Sequence, residues 1–278
     1  MMRERAFRFG RAQHLIGIAG FPASFASNVG VIVLNAGLVH RVGPFRLHVD
    51  LTRRLNESGY ATVRFDQSTI GDSGSSGESQ TKLQQICADV NDAMTLLKEQ
   101  AGCTRFVLFG LCSGAQNAHS VACVDDKVVG AIFLDGYAYR TLGYRIRRYL
   151  PSVLQVDRWK RLLGRKTAPT TMKSAGSEIV FKPPPSPLPV VRADYAGMVE
   201  RGMKLCLIYS GGISMYFNHV RQFRECFGRT MSTPNVTTSF HREIDHTYVL
   251  VKDRARLVDR VQGWLEQNFP IAHAGSSP

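Results

Sequence analysis

Short apolar, β-branched runs alternate with helical segments along most of this 278-residue chain, and this alternation limits the fold more than any other feature. Runs typical of strands lie at 13–21, 29–36, 60–66, 105–111, 128–135, 203–210 and 235–241. Segments typical of helices lie at 45–58, 80–100, 114–124, 216–227 and 250–268. Strands connected through helices run parallel, so we predict an α/β protein with a mostly parallel central sheet covered on both faces.

The alternation is interrupted between residues 139 and 195. This stretch opens with the amphipathic, basic and aromatic segment YRIRRYLPSVLQVDRWKRLLGRK and continues into the loop-like KPPPSPLP. A long insertion between the strands of a compact sheet is typical of a functional loop, so we predict a lid over residues 139–195. The core then comprises residues 1–138 and 196–270, and residues 271–278 are expected to form a flexible tail.

The net charge of +13 is concentrated in this insertion, since residues 139–182 hold eleven lysines and arginines and only two acidic residues. A basic stretch of this kind suits nucleic acid, a membrane surface or an acidic partner, or it is a solvated helix face. No nucleic-acid-binding motif accompanies it, so we expect no nucleic-acid partner. We predict that Arg147, Arg148, Trp159 and Lys160 contact a carrier-bound or otherwise anionic substrate, with peripheral membrane contact as the alternative.

The six cysteines form no CxxC pair, and several lie within apolar runs. This usage is typical of a reducing compartment, so we expect a cytoplasmic protein. The uncharged stretch 15–39 follows a basic N-terminus, which raises the alternatives of a signal peptide or a membrane-spanning helix. Pro22 and several glycines interrupt it, and two strands joined by a turn are the better interpretation.

The hexapeptide GLCSGA, residues 110–115, joins a predicted strand to a predicted helix. It matches the motif G-x-S-x-G with cysteine in the third position; in that motif a sharp, strained turn between strand and helix exposes a nucleophile. Cys112 would then face a helix N-terminus, whose dipole favours a thiolate. We predict Cys112 as the nucleophile rather than Ser113, whose backbone N–H would serve an oxyanion hole. A buried structural cysteine is the alternative.

A cysteine nucleophile requires a histidine base. In this arrangement the chain order is nucleophile, acid, histidine, and His246 fits it better than His241 or His119 because it lies between the last strand and the last helix. The turn after the strand at 203–210 contains no carboxylate, so Asp135, at the end of the preceding strand, is the predicted acid. A loop-capping aspartate is the alternative, and a Cys–His pair also functions without a strong third member.

A second oxyanion donor is expected from the small-residue turn that follows the strand at 29–36. The N–H of Gly37 or Leu38 would approach the substrate there. The histidines and cysteines have no metal-ligand spacing, and the chain contains neither G-x-G-x-x-G nor a P-loop. We therefore predict no metal and no cofactor.

A family resemblance rests on four stretches. TVRFDQSTIGDSG, with Arg64, Asp66, Gly71 and Ser73, is similar to a stretch common in α/β-hydrolases. Together with NAGLVHRVGPFRLHVDLTRRL, GLCSGA and the basic-aromatic insertion, it resembles the hydrolases associated with the bacterial exosortase A system, over residues 7–268. The resemblance implies the α/β-hydrolase fold with a lid insertion and a cysteine in the nucleophile elbow.

Two classes of function fit these residues. In an acyl-transfer enzyme Cys112 attacks an ester or thioester, His246 transfers the proton, and backbone N–H groups hold the oxyanion. Water as acceptor makes it an esterase or thioesterase, whereas an alcohol or amine makes it a biosynthetic acyltransferase or cyclase. A binding or scaffold protein that has lost turnover is the other class, favoured by the missing carboxylate after residues 203–210.

Overall fold

In the computed structural model, which describes residues 3–23, 27–153 and 186–271, eight strands form one sheet. The strands are Arg3–Phe9 (β1), Leu15–Phe21 (β2), Val29–Val33 (β3), Ala61–Asp66 (β4), Arg105–Leu111 (β5), Val128–Leu134 (β6), Lys204–Ser210 (β7) and Val236–His241 (β8). The α-helices of the described part are Leu47–Glu57 (α1), Lys82–Ala101 (α2), Ser113–Val124 (α3), Leu142–Val153 (α4), Leu188–Glu200 (α5), Gln222–Phe227 (α6) and Val251–Asn268 (α7).

The strand order in the sheet is β1-β2-β4-β3-β5-β6-β7-β8. Strand β2 runs antiparallel to β1 and β4, and all strands from β3 to β8 run parallel to one another. The prediction of a mostly parallel sheet is confirmed, and each predicted strand is present. Because parallel strands end at the same edge, the loops after β3, β5, β6 and β8 all lie at one end of the sheet.

Helices cover both faces of the sheet, and each face has its own hydrophobic core. One core lies between the sheet and helices α2, α3, α5 and α6. The other lies between the sheet and helices α1 and α7. The inner strands are buried on both faces, which explains their nearly continuous apolar sequences.

Three elements differ from the sequence prediction. Strand β1 was not predicted, because as an edge strand it carries alternating charges, and its Glu4 pairs with Arg53 and Arg64. The predicted helix 216–227 was wrong in extent: a turn occupies its first half, and only α6 is helical. Helix α5 was not predicted either, because it follows a proline-rich sequence.

Part of the predicted lid and all but the first residue of the predicted tail lie outside the described residues, among them Trp159 and Lys160. Helix α4 begins the predicted insertion, and α5 crosses its predicted end at residue 195. Val191 and Tyr195 of α5 belong to the hydrophobic core. The boundaries of the lid therefore stay a prediction. Across the described ranges, no helix is at once long enough and apolar enough to cross a membrane.

Candidate active site

Cys112 occupies a sharp bend between β5 and α3. Its backbone has φ 57° and ψ −117°, a region that residues with a Cβ rarely adopt. A Cβ on Gly110 would lie 2.2 Å from the carbonyl oxygen of Gly114, and one on Gly114 would lie 2.4 Å from that of Asn35. Both glycines of the motif are thus required by close backbone approach, and the bend they allow has the geometry predicted for a nucleophile elbow.

Hydrogen bonds on both sides of the bend hold Cys112 in this conformation. Its N–H donates to the carbonyl of Leu134 on β6 at 2.9 Å. Its own carbonyl accepts from the N–H groups of Ala115 and Gln116, at 3.1 and 3.2 Å. The half-buried thiol therefore stands at the N-terminus of the 12-residue helix α3, where the helix dipole favours an anion.

His246 and Asp135 meet beside this elbow. His246 Nδ1 lies 2.8 Å from Asp135 Oδ2, and Asp135 is fully buried at the end of β6. Ser210 donates twice to this carboxylate, through its N–H to Oδ1 at 2.6 Å and through its hydroxyl to Oδ2 at 2.5 Å. The carboxylate is thus oriented by three hydrogen bonds, and it orients the imidazole in turn.

The electrostatics of His246 follow from these contacts. Burial disfavours the charged imidazolium, but hydrogen bonds to Asp135 and Cys112, together with the charges of both groups, outweigh it and raise the pKa of His246 to about 10. The imidazolium therefore persists at neutral pH beside Cys112. Burial disfavours the charged form at Cys103 as well, and because it acts there alone it raises the pKa of that thiol to about 11.

The loop after β7 explains how a site without a carboxylate at that position is built. Ser210, the last residue of β7, donates to Asp135. Ile213, in the turn after this strand where a carboxylate was expected, is buried in the core instead. A Cβ on Gly212 would lie 2.4 Å from the Cβ of His246, so the glycine lets the histidine loop approach. Sequence reasoning missed Ser210. The sequence feature that could have indicated it is a serine at the end of β7, beside the turn where a carboxylate was expected.

The predicted oxyanion residues lie next to the elbow. Ser113 is the first residue of α3, where N–H groups have no partner within the helix. The N–H of Gly37 donates to the hydroxyl of Ser113 at 2.7 Å, across the gap between the two loops. Leu38 is 90% exposed, on the outer side of the same turn. The two loops thus meet beside Cys112, where the hydroxyl of Ser113 accepts from the N–H of Gly37.

The stretch at 62–74 contacts the predicted oxyanion loop. The buried carboxylate of Asp66 accepts hydrogen bonds from the backbone N–H of Arg41 at 2.5 Å and from the amide of Asn35 at 3.2 Å. The amide oxygen of Asn35 accepts from the N–H of Gln67 at 2.7 Å. A Cβ on Gly71 would lie 2.5 Å from Asp66 Oδ2. Asp66, one of the residues that carried the family resemblance, therefore holds the loop at 35–41, and Gly71 leaves room for its carboxylate.

The basic residues predicted for substrate binding are divided between two environments. Arg147 forms a bidentate pair with Glu225 on α6, at 2.7 and 3.0 Å. Arg148 is exposed on α4.

The two alternative histidines lie away from Cys112. His241 ends β8 and lines a separate cavity, and His119 lies within α3. The structure thus brings Cys112 and His246 together with Asp135, and not with the rival histidines.

Comparison with protein-family models finds no match, and a search of curated proteins finds none. Solved structures similar to this chain include an esterase of Pyrococcus furiosus, with a TM-score of 0.63 and 15% identity over 96% of this chain and 92% of that chain. A lidless α/β serine hydrolase of Xanthomonas campestris has a TM-score of 0.57 and 13% identity, covering 98% and 97%. A protein of Klebsiella pneumoniae assigned as a dienelactone hydrolase has a TM-score of 0.58 and 12% identity, covering 96% of this chain and 99% of that chain. At these identities the likeness shows the α/β-hydrolase fold.

Proposed function

We propose that this protein is a hydrolase that cleaves an ester or thioester through a covalent acyl intermediate on Cys112. The observation that carries the proposal is the hydrogen-bonded series Asp135–His246–Cys112, with 2.8 Å between Asp135 and His246 and with Cys112 on a strained elbow. A side chain that serves only packing needs neither this backbone strain nor a charged partner. The esterases and hydrolases among the structural neighbours support the same class of reaction.

The steps follow from the charges of the site. The thiolate of Cys112 attacks the substrate carbonyl carbon, and the carbonyl electron pair moves to oxygen. When this intermediate collapses, the leaving alcohol or thiol takes the proton of the His246 imidazolium, and the acyl group stays on sulfur. His246 then removes a proton from water, which attacks the thioester and releases the acid and the thiolate. Asp135 stabilises the imidazolium throughout.

Ser113 and Gly37 are proposed to stabilise the oxyanion. Because the Ser113 hydroxyl already accepts from the N–H of Gly37, its own proton remains to be donated. We expect the substrate oxygen to receive this proton in a hydrogen bond, beside the backbone N–H of Ser113. The hydroxyl then transmits the polarisation of the Gly37 N–H to the oxyanion.

We also propose membership of the exosortase-associated hydrolases and an anionic or carrier-bound acyl substrate. The support is the cysteine elbow, the oxyanion loop held by Asp66, and the start of a basic insertion at α4. Arg145 and Arg148 are exposed on this helix, whereas Arg147 pairs with Glu225. Arg148→Glu should raise KM for an acyl group on an acidic carrier protein and leave a small neutral ester unchanged. An equal loss on both substrates would contradict this substrate class.

The reaction itself is tested with p-nitrophenyl butyrate and intact-protein mass spectrometry. We expect a butyryl adduct that peptide mapping locates on Cys112, and no adduct in Cys112→Ala. Butyrate as the sole product, with no ester formed when alcohols are added, supports hydrolysis, whereas preferential transfer to an added alcohol or amine indicates an acyltransferase. An adduct on another residue, or undiminished turnover in Cys112→Ala, would refute the proposal.

A further inference from the structure

A second group of one histidine, one cysteine and one aspartate lies away from the elbow, between α3 and α5. His119 and Cys123 are four residues apart on α3 and so share one face of that helix. Asp194 lies opposite them on α5. One ligand atom of each residue lies within 4.8 Å of the other two. The prediction of no metal site rested on spacing along the chain, and Asp194 is remote in sequence from the other two residues.

The imidazole of His119 is the buried part of this group. Only 4% of its side chain is exposed, and the rings of Phe133, Tyr137 and Tyr195 pack around it. Its Nε2 has no hydrogen-bond partner among the residues that the structure describes. Buried polar atoms normally have a partner, so this nitrogen needs an explanation.

The two other side chains lie beside different nitrogens of the imidazole. Asp194 Oδ2 lies 3.6 Å from His119 Nε2, beyond hydrogen-bonding distance, and Cys123 Sγ lies 3.8 Å from Nδ1 of the same ring. A cavity of about 510 Å³ borders Cys123 and Asp194 and extends along α5 to Arg201. The group is therefore reachable from outside the core.

Arg201 does not fill the position of a cation in this group. Its guanidinium donates to the backbone carbonyls of Ala122 and Cys123, at 2.5 and 3.1 Å. It also pairs with Asp126 at 3.2 Å. These contacts keep the charge at the C-terminal end of α3, on the carbonyl oxygens that helix ends leave unpaired.

We propose that His119, Cys123 and Asp194 bind a zinc ion, with a water molecule from the cavity as the fourth ligand. Imidazole nitrogen, thiolate and carboxylate oxygen are the donors that zinc prefers, at bond lengths of about 2.0–2.3 Å. Tetrahedral geometry at these lengths separates the ligand atoms by about 3.3–3.8 Å. One ion binds one nitrogen of the ring, so with Nε2 as the ligand the thiol of Cys123, now beside Nδ1, has to turn towards Asp194. Ligand atoms that now lie within 4.8 Å of one another then close by up to about 1 Å. Cys123 releases its proton to solvent when the ion binds.

The ion would join two elements that matter for the elbow. Helix α3 begins directly after Cys112, and α5, which crosses the predicted end of the lid, packs into the core. Because the ion binds only the folded arrangement of these helices, it should stabilise the folded protein in proportion to the logarithm of its free concentration. This inference does not depend on turnover at Cys112.

The test is metal binding by the full chain in a Cys112→Ala background, which removes the thiol of the elbow. The protein is treated with chelator, dialysed and titrated with Zn²⁺, and separately with Co²⁺ for its thiolate charge-transfer absorption. Cys123→Ser and Asp194→Asn are the test variants, chosen because both side chains border the cavity. Cys87→Ser on α2 and Asp126→Asn at the end of α3 are the matched controls.

We expect one equivalent of Zn²⁺, a Co²⁺–thiolate absorption that disappears in Cys123→Ser, and affinity at least about tenfold weaker in both test variants. The controls should bind as the parent does, and the thermal midpoint of the parent should rise with Zn²⁺. Failure to bind Zn²⁺ would overturn the proposal. So would equal affinity in the test variants, or binding that requires Cys112, since the ion would then lie elsewhere.

Discussion

The two ends of helix α3 carry the same residue types in different environments. At its start, Cys112 stands on a strained bend, and Asp135 lies 2.8 Å from Nδ1 of His246. Near its end, Cys123 is held on a regular helical turn, and its sulfur rather than a carboxylate lies nearest Nδ1 of its histidine, at 3.8 Å. A carboxylate thus lies beside Nδ1 of His246, whereas a thiol lies beside Nδ1 of His119 and a carboxylate beside its Nε2.

The charge of the two histidines differs accordingly. Burial lowers the pKa of His119 to about 4, so its imidazole is neutral at pH 7. At His246 the opposing effects of Asp135 and Cys112 raise the pKa to about 10. A neutral imidazole suits a ligand, whereas a stable imidazolium suits a partner of a thiolate. Burial alone at one end, and hydrogen-bonded partners at the other, therefore give the two histidines different charges.

The largest expected difference between the two ends is in turnover. Cys112→Ala should reduce kcat/KM for p-nitrophenyl butyrate by at least about 10⁴-fold, because the covalent step is lost. Cys123→Ala should stay within about twofold of the parent when assayed without zinc. Steady-state kinetics of both variants measure this, with circular dichroism as the check on folding. A comparable loss in both variants would contradict the assignment.

The next largest difference is expected in kcat when the carboxylates of Asp135 and Asp194 are replaced. Asp135→Asn keeps the shape of the side chain but removes the charge that stabilises the His246 imidazolium, so kcat should fall by about 10²–10⁴-fold. Asp194→Asn should leave kcat unchanged. Unchanged turnover in Asp135→Asn would mean that Cys112 and His246 act without an acid.

Ser113→Ala tests the proposed hydroxyl relay in the oxyanion hole. We expect kcat to fall by about tenfold, less than for a lost backbone donor, because the N–H of Ser113 remains. Ser120→Ala is the matched control, since Ser120 lies on the same helix and donates only to the carbonyl of Gln116. Equal activity of the two variants would exclude the hydroxyl from the mechanism.

The raised pKa of His246 predicts the pH dependence. Activity should persist through neutral pH and decline as the pH rises through about 10, when the imidazolium loses its proton. The same group stabilises the folded state fully below about pH 6.5, its usual pKa, and this contribution is lost as the pH rises towards 10. In Asp135→Asn the alkaline limb should move to lower pH. A limb that stays in place would exclude Asp135 as the source of the shift.

The fold and much of the candidate site were predictable because they depend on local patterns. Strand runs before Cys112 and Asp135, and a loop before the last helix at His246, place all three at one end of a parallel sheet. The role of Ser210 was not predictable, because a serine after β7 gains its meaning only from the carboxylate of a neighbouring strand. Asp194 lay within a predicted insertion whose helix α5 carries no regular amphipathic pattern.

In the proposed mechanism Cys112 is the activated thiol of this chain, and alkylation rates distinguish it from the other cysteines. Folded protein is treated with substoichiometric iodoacetamide at neutral pH, and the modified cysteines are identified by peptide mass spectrometry. We expect that Cys112 is modified before Cys123 and every other cysteine, and that His246→Ala slows the modification of Cys112 while leaving that of Cys123 unchanged. Modification of Cys123 at an equal or higher rate, or a Cys112 rate indifferent to His246, would contradict it.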